Sequence, residues 1–297
     1  MSENFADILL ESVERKGSSL CLGMDPVWEH FPSRLKGLEA EEALTSFVME
    51  ILECLGDLLP VVKFQMACFE RYGSAGLRVL EKSLKETKKR RIVSILDCKR
   101  GDIGSTSKQY ARAYLGENAP FPSDAVTLSP YLGRDSIEPF LELFPLGKGA
   151  FVLVRTSNPS ARELQDLCVQ EEALYLKVAK LVEHWGAPYI GQRRYSSLGA
   201  VVGATYPEEL TLLRQLLPHT LFLVPGYGAQ GAMEAEVALA FDPSGKGAIV
   251  NSSRQLIYAF SSTTYRGMEE KFAEAVRLAY LEAREKINMA IRERMRK

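Results

Sequence analysis

Short runs of apolar and β-branched residues alternate with longer stretches of mixed polarity along almost the whole chain. The runs fall at 19–23, 61–64, 92–96, 125–128, 150–154, 200–203, 221–224 and 248–251. Several are nearly all apolar, as strands covered on both faces must be. Amphipathic stretches at 41–55, 77–88, 107–115, 136–144, 162–185, 208–217 and 233–241 predict helices between them. A further helix is predicted over 5–15, and a charged one runs to about residue 296. Strand–helix alternation of this kind predicts parallel βα units. Eight strands close a barrel, so the expected architecture is α/β: a single (β/α)8 TIM barrel domain spanning 1–297, with an extra N-terminal helix and a long C-terminal helix. An open doubly wound sheet is the alternative, because periodicity does not say whether the last strand meets the first.

Composition adds exclusions. With 297 residues, 46% of them apolar, the chain can bury one substantial core. Its 37 basic and 38 acidic residues leave a formal charge of −1, which gives no general attraction to nucleic acid or to an anionic membrane surface. Any anion site must be local. The five cysteines are scattered, without a C-x-x-C pair that would suggest zinc or redox chemistry, and fit a reduced, cytoplasmic setting. Residues 1–17 lack the basic start and apolar stretch of a signal peptide, and no apolar run approaches the roughly 18 residues of a membrane span. Two connections are long, 116–124 and 186–199, and both precede strands, away from the usual active face of a barrel. The second carries Gln192-Arg193-Arg194, read as solvated or intersubunit surface. The basic end of the last helix, Arg292, Arg294, Arg296 and Lys297, is accounted for by the preference of cations for helix C-termini.

The chemistry gathers where strands end. In a β/α barrel these ends share one mouth. The first strand leads to Asp25, the second to Lys63, and the third to Asp97-Cys98-Lys99-Arg100-Gly101-Asp102. Side chains two apart on a strand point the same way, so Asp97 and Lys99 can face the mouth together with Lys63 beside them. Lys63, Asp97, Lys99 and Asp102 are thus expected to form one chain of alternating charge. A structural ion-pair network is the bland account, but buried pairs gain little over apolar packing and need another justification. The later loops suit a phosphate: Thr156-Ser157-Asn158-Pro159, Pro225-Gly226-Tyr227-Gly228-Ala229-Gln230-Gly231 and Asn251-Ser252-Ser253-Arg254. Phosphate sites in barrels commonly use the loops after strands seven and eight, and Arg254 offers a fork of donors matched to phosphate oxygens.

Taken together these motifs resemble orotidine 5'-phosphate decarboxylase of the longer bacterial type. The resemblance runs through most of the length, from Gly23-Met24-Asp25-Pro26, Val62-Lys63-Phe64-Gln65 and the Asp97–Thr106 segment to Val202-Gly203-Ala204-Thr205 and Ser252-Ser253-Arg254. D-x-K-x-x-D alone is shared with related sugar-phosphate barrels; with Lys63 and the later loops it is specific. The resemblance implies decarboxylation of orotidine 5'-phosphate to uridine 5'-phosphate and CO2 in de novo pyrimidine biosynthesis. It also implies a homodimer working without metal or organic cofactor. By the same resemblance Lys99 is the proton donor to C6, Asp97 lies beside the substrate carboxylate and Lys63 bridges toward the ribose. Asp102 and Thr106 reach into the partner's site, Asp25 binds ribose hydroxyls, Ser157 meets the pyrimidine edge, and Gln230, Ser253 and Arg254 grip phosphate. Cys98 departs from the family's more usual alanine, with a side chain expected to point away from the site.

Two competing functions make different demands. A Mg²⁺-dependent sugar-phosphate aldolase or keto-acid decarboxylase of the same barrel group needs a carboxylate at the end of strand two, because a hard cation takes oxygen ligands, and that position holds Lys63. A non-catalytic nucleotide-binding barrel predicts a broken member among Lys63, Asp97, Lys99 and Asp102, and none is broken.

Overall fold

The structure, a computed structural model, describes residues 4–228 and 233–296. Eight parallel strands form a closed barrel: β1 (Leu20–Met24), β2 (Val61–Gln65), β3 (Val93–Arg100), β4 (Ala125–Leu128), β5 (Gly149–Arg155), β6 (Ser196–Val202), β7 (Thr220–Val224) and β8 (Ala248–Ser252). Closure is made by β1 and β8, where Leu20, Cys21 and Leu22 pair with Val250, Asn251 and Ser252. That pairing decides against the open sheet.

Two apolar clusters follow from the alternation of side chains along each strand. Cys21, Val61, Val93, Ile95, Ala125, Phe151, Leu221, Leu223 and Ile249 fill the barrel's interior. Helix α1 (Phe5–Lys16) plugs that interior from the N-terminal face of the strands, adding Phe5, Ala6, Leu9 and Leu10. Phe5 meets Phe151 edge-on at 6.1 Å. Asn4 caps α1 by accepting from the Ala6 and Asp7 amides, and Gly17 ends it at φ 59°, a left-handed conformation that glycine adopts freely. The larger cluster lies between the outward strand faces and the surrounding helices. Among these are α2 (Ala40–Leu55), α3 (Gly73–Lys89), α4 (Gly104–Leu115), α5 (Leu174–Gly186), α6 (Pro207–Leu216) and the long α7 (Phe272–Met295).

Several predicted elements change: the helices expected over 136–144 and 233–241 are reduced to single turns at Glu138–Leu141 and Glu234–Val237 with 3-10 turns beside them. The helix expected over 162–185 is broken into a single turn at Arg162–Gln165, a small hairpin pairing Cys168–Val169 with Glu172–Ala173, and α5. Gln170 and Glu171, at φ 54° and 65°, make a two-residue turn that usually selects Asn or Gly, so periodicity reads straight through it. The strand expected at 200–203 begins four residues earlier, at Ser196. Ser196 and Ser197 are buried, and Ser196 Oγ donates to the Gly186 carbonyl at 2.8 Å. A satisfied serine can lie in a core strand although it looks like loop in sequence.

Candidate active site

At the C-terminal ends of the strands is a cavity of about 490 Å³. Asp25, Lys63, Asp97, Lys99, Ser157, Ser253 and Arg254, all nominated by sequence, line it together. The floor is built by register. Gly23 of β1 lies opposite Lys63 of β2, and Gln65 lies opposite Asp97 of β3. Lys63 Nζ donates to Asp97 Oδ2 at 2.8 Å and stands 3.9 Å from Asp25 Oδ1. Lys99 Nζ donates to Asp97 Oδ1 at 2.6 Å.

Asp97 and Lys99 share a direction for a reason that a regular strand does not supply. The pairing of β3 with β4 slips between Leu96 and Arg100, and Lys99 sits in the slip at φ 45°. A left-handed non-glycine residue costs on the order of 1–3 kcal/mol and persists only where its surroundings enforce it. Here Thr127 of β4 does so: its Oγ1 accepts the Lys99 amide at 2.9 Å and donates to Asp97 Oδ1 at 2.8 Å. Gln65 Nε2 adds a bond to Asp97 Oδ2 at 3.2 Å. Asp97 therefore receives four side-chain donors.

Burial alone would push the Asp97 carboxyl up, but the flanking Lys63 and Lys99 ammonium groups reverse this and hold it well below the usual carboxylate range. Burial likewise works to lower Lys63, and the Asp97 and Asp25 carboxylates outweigh it, leaving Lys63 raised and charged. The Lys63 side chain is 5% exposed and that of Lys99 46%, so Lys99 is the cation presented to the cavity. Cys98 faces the outer core, with Sγ donating to the Thr127 carbonyl at 3.7 Å, and its thiol is pushed up to about 12 by burial.

The remaining walls are of two kinds. Leu153, Val201 and Leu223 give apolar surface from β5, β6 and β7, beside Pro225. Opposite the floor, Ser157 stands on the loop after β5, and Ser253 and Arg254 follow β8. Gly23 makes room for this rim, since a Cβ there would lie 1.8 Å from Ser253 Oγ. Gly228, at φ 77°, is constrained in the same way by Gln255. Arg254 enters no ion pair among the described residues. Asp25 Oδ1 and Asn251 Oδ1, both on cavity-lining residues, are buried without a hydrogen-bond partner among the described residues. Buried acceptors of this kind normally find donors, so the pair suits a ligand bearing hydroxyl groups. Tyr258 braces Asp25 by donating to its carbonyl at 3.0 Å and accepting the Val27 amide at 2.6 Å.

The loop carrying Ser157 is held from beneath by Arg155, a fully buried guanidinium. Its Nε and Nη2 donate to Glu209 at 2.6 and 2.9 Å, and its Nη1 donates to Asp166 at 2.5 Å. Tyr175 and Tyr206 lie against it, with ring centres 4.8 and 5.4 Å away. Sequence reading passed over Arg155, Thr127 and Gln65 as an Asp97 ligand, and took Asn251 only as part of the loop after the last strand. The signal for Thr127 was a lone polar residue inside an apolar strand; for Arg155 nothing local marks the partners.

One expectation needs correction. The four-charge chain does not form within one protomer: Asp102 is absent from the cavity lining, and its Oδ1 accepts the amide of Ile103 at 2.8 Å. The slip that turns Lys99 inward carries the following residues outward, and Asp25 occupies the far end of the charge chain instead. Thr106 is exposed on α4 and likewise lies outside the cavity. Gln230 lies outside the described residues.

A closed β/α barrel with ionised side chains at the floor of its C-terminal mouth and an arginine-bearing rim after β8 defines an enzyme of the phosphate-binding barrel class. Comparison narrows the class: the chain belongs to the Orotidine 5'-phosphate decarboxylase / HUMPS family, whose model matches residues 18–260. It is 42% identical to the orotidine 5'-phosphate decarboxylase of Rhodopirellula baltica, over 95% of this chain and 98% of that one. Similarity to the enzyme of the same name from Caldicellulosiruptor bescii is 40%, over 97% and 99%. Among solved structures, Leishmania donovani OMP decarboxylase superposes with a TM-score of 0.72 at 29% identity, covering 94% of this chain and 99% of that one.

Proposed function

We propose that this chain converts orotidine 5'-phosphate to uridine 5'-phosphate and CO2, acting throughout residues 1–297 as one catalytic domain. The observation that carries the reading is the buried Lys63–Asp97–Lys99 cluster on the cavity floor, found in a member of a family whose relatives bear that decarboxylase name.

Breaking the bond between C6 and the carboxylate releases CO2 and leaves an electron pair in the ring plane, where the π system cannot spread it. Stabilisation must come from fixed charge. Lys99, half-exposed to the cavity and tethered to Asp97, is suited to hold its ammonium against C6 and then deliver a proton there. Asp97 would face the substrate carboxylate, and two unit charges about 4 Å apart interact by roughly 4 kcal/mol at an effective dielectric near 20. Lys63 and Lys99 offset part of that. Asp25 and Asn251, with their unpaired acceptors, suit ribose hydroxyls, and Ser157 suits the pyrimidine edge. Ser253 and Arg254 would hold the phosphate, with Gln230 from the loop after β7. Phosphate binding far from C6 supplies energy that can be spent on the reacting centre, so Arg254→Ala is expected to lower kcat/KM although it meets no reacting atom.

Asp102 and Thr106 are proposed to complete the site of a second copy in a homodimer, which accounts for their position outside the protomer's own cavity. A biosynthetic enzyme of this kind fits the cytoplasm, and among the described residues no helix is long and apolar enough to cross a membrane. The Mg²⁺-dependent branch is disfavoured by donor chemistry: Lys63 stands where a carboxylate would be needed, and among the described residues no three His, Cys, Asp or Glu side chains gather to hold a cation.

The decisive test is spectrophotometric turnover of orotidine 5'-phosphate in excess chelator, with Lys99→Ala run alongside. Loss of the orotate chromophore in wild type and not in the variant is expected. A folded wild type that leaves the substrate intact would reject the reading.

A further inference from the structure

Two basic features that the catalytic face leaves unused meet on the opposite face of the barrel. Arg193 and Arg194 precede β6, and Arg294 lies in the last turn of α7. With Arg214 of α6 and Lys246 before β8 they line one hollow of about 560 Å³, together with Asp242. This hollow sits at the N-terminal ends of β6, β7 and β8, so the length of the barrel separates it from the catalytic cavity.

The cations there are poorly neutralised. Asp242 is occupied by uncharged donors: its Oδ2 accepts from the Tyr195 hydroxyl at 2.6 Å, and its Oδ1 accepts from the Ser244 amide and hydroxyl and the Lys246 amide at 2.7 to 2.9 Å. Glu14, at the edge, is shared between Arg193 at 2.7 Å and Lys246 at 2.8 Å. Arg194 and Arg294 enter no ion pair among the described residues. Arg214 is only 6% exposed; its guanidinium donates to the backbone carbonyls of Gly247 at 3.0 Å, Thr220 at 2.9 Å, Ala240 and Leu217, and lies over the Phe222 ring with its centre 4.0 Å away. Its hydrogen bonds are satisfied, but among the described residues no carboxylate forms an ion pair with it; the Phe222 ring and the more distant Asp242 and Glu183 carboxylates offset its charge only in part. Even with Glu14 and Glu183 counted beside Asp242, an excess of two positive charges surrounds the hollow, in a chain whose overall formal charge is −1.

Backbone strain falls at the same place. Arg194 has φ 71°, and His219 Nδ1 donates to its carbonyl at 2.9 Å, holding the turn. Left-handed non-glycine residues cluster at binding sites, where the surrounding structure enforces them.

We propose that this hollow is a second anion site, for a small molecule carrying two or more linked phosphoryl groups. A single phosphate is matched by one guanidinium fork; the guanidiniums of Arg194 and Arg294, brought from two separate segments to one hollow over the buried charge of Arg214, match an extended polyanion. The ligand would bind apart from the catalytic cavity, which shares no lining residue with this site.

Sodium pyrophosphate is the probe. Calorimetric titration into full-length Arg254→Ala, which lacks the arginine of the catalytic rim, is expected to show one-to-one binding. Adding Arg194→Ala and Arg294→Ala should weaken it by about tenfold or more, and salt should weaken it in the parent. In the unsubstituted protein, pyrophosphate should protect Arg194 and Arg294 from phenylglyoxal, read by peptide mass spectrometry. Absence of binding to Arg254→Ala, affinity indifferent to the two further substitutions, or equal labelling with and without pyrophosphate would each overturn the proposal. None of these readouts depends on turnover of orotidine 5'-phosphate.

Discussion

Two buried charge clusters in this barrel are near mirror images in sign. On the floor of the mouth, the Asp97 carboxylate lies between the ammonium groups of Lys63 and Lys99. Beneath the loop after β5, the Arg155 guanidinium lies between the carboxylates of Asp166 and Glu209. Around Arg155 the demand is met within the protein: Nε, Nη1 and Nη2 all have carboxylate acceptors, and Tyr175 and Tyr206 lie against it. Around Asp97 it is met only on the carboxylate's side. Lys99 remains nearly half exposed toward the cavity, and Asp25 keeps an acceptor without a donor. A cluster that satisfies itself is a structural device; one that leaves a charge turned into a hollow is prepared for a ligand.

The comparison can be broken by experiment. The largest separation is expected for Lys99→Ala, which should lower kcat by at least about 10³-fold while leaving the melting temperature close to wild type, because the lost side chain is half exposed. Equal damage to stability and to activity would erase the distinction. Arg155→Met should do the reverse. Leaving Asp166 and Glu209 without their cation should cost roughly 3–5 kcal/mol in chemical denaturation, with activity falling chiefly through a raised KM as the Ser157 loop loosens. Asp97→Asn should combine both outcomes, since it removes the counter-charge of buried Lys63 and the anchor of Lys99. Thr127→Val is the gentler probe: loss of its bonds to the Lys99 amide and to Asp97 should cost about 1–2 kcal/mol and a modest part of kcat, measured by denaturation and turnover on one preparation.

A pH titration sharpens the same contrast with a smaller effect. Asp97 is held below the ordinary carboxylate value in the folded state, so its ion pairs contribute stability that is fully present above about pH 4. That contribution is lost as the pH falls through the depressed folded value. Stability measured from neutral to acid pH should therefore decline less steeply in Asp97→Asn than in wild type, and parallel curves would show that Asp97 carries no such linkage.

Much of this was legible in the sequence because it depends on local alternation and on where strands stop. The eight strands follow from short apolar runs, the N-terminal helix from its amphipathic period, and the strand-end charges Asp25, Lys63, Asp97 and Lys99 from their place where those runs stop. Elements misread were those whose polar residues are satisfied at a distance. Ser196 hides a strand because its partner is the carbonyl of Gly186, and the hairpin at 168–173 hides in a helical pattern because its turn lacks the usual residues. Asp102 was misplaced for a related reason: a strand-direction rule does not foresee the slip at Lys99, which depends on Thr127 in the neighbouring strand.

By itself, then, the sequence determined the class of fold, the family and the chemical character of the mouth, since these rest on hydrophobic period and on residue type at strand ends. Only the tertiary structure decided that β8 closes on β1, that Thr127 and Gln65 complete the shell of Asp97, and that Arg155 gathers Asp166 and Glu209. It alone decided that Arg193, Arg194 and Arg294 share a hollow with Arg214 and Lys246. Each of those joins segments distant in the chain through hydrogen bonds or charge, and such partners leave no periodic trace in the residues between them.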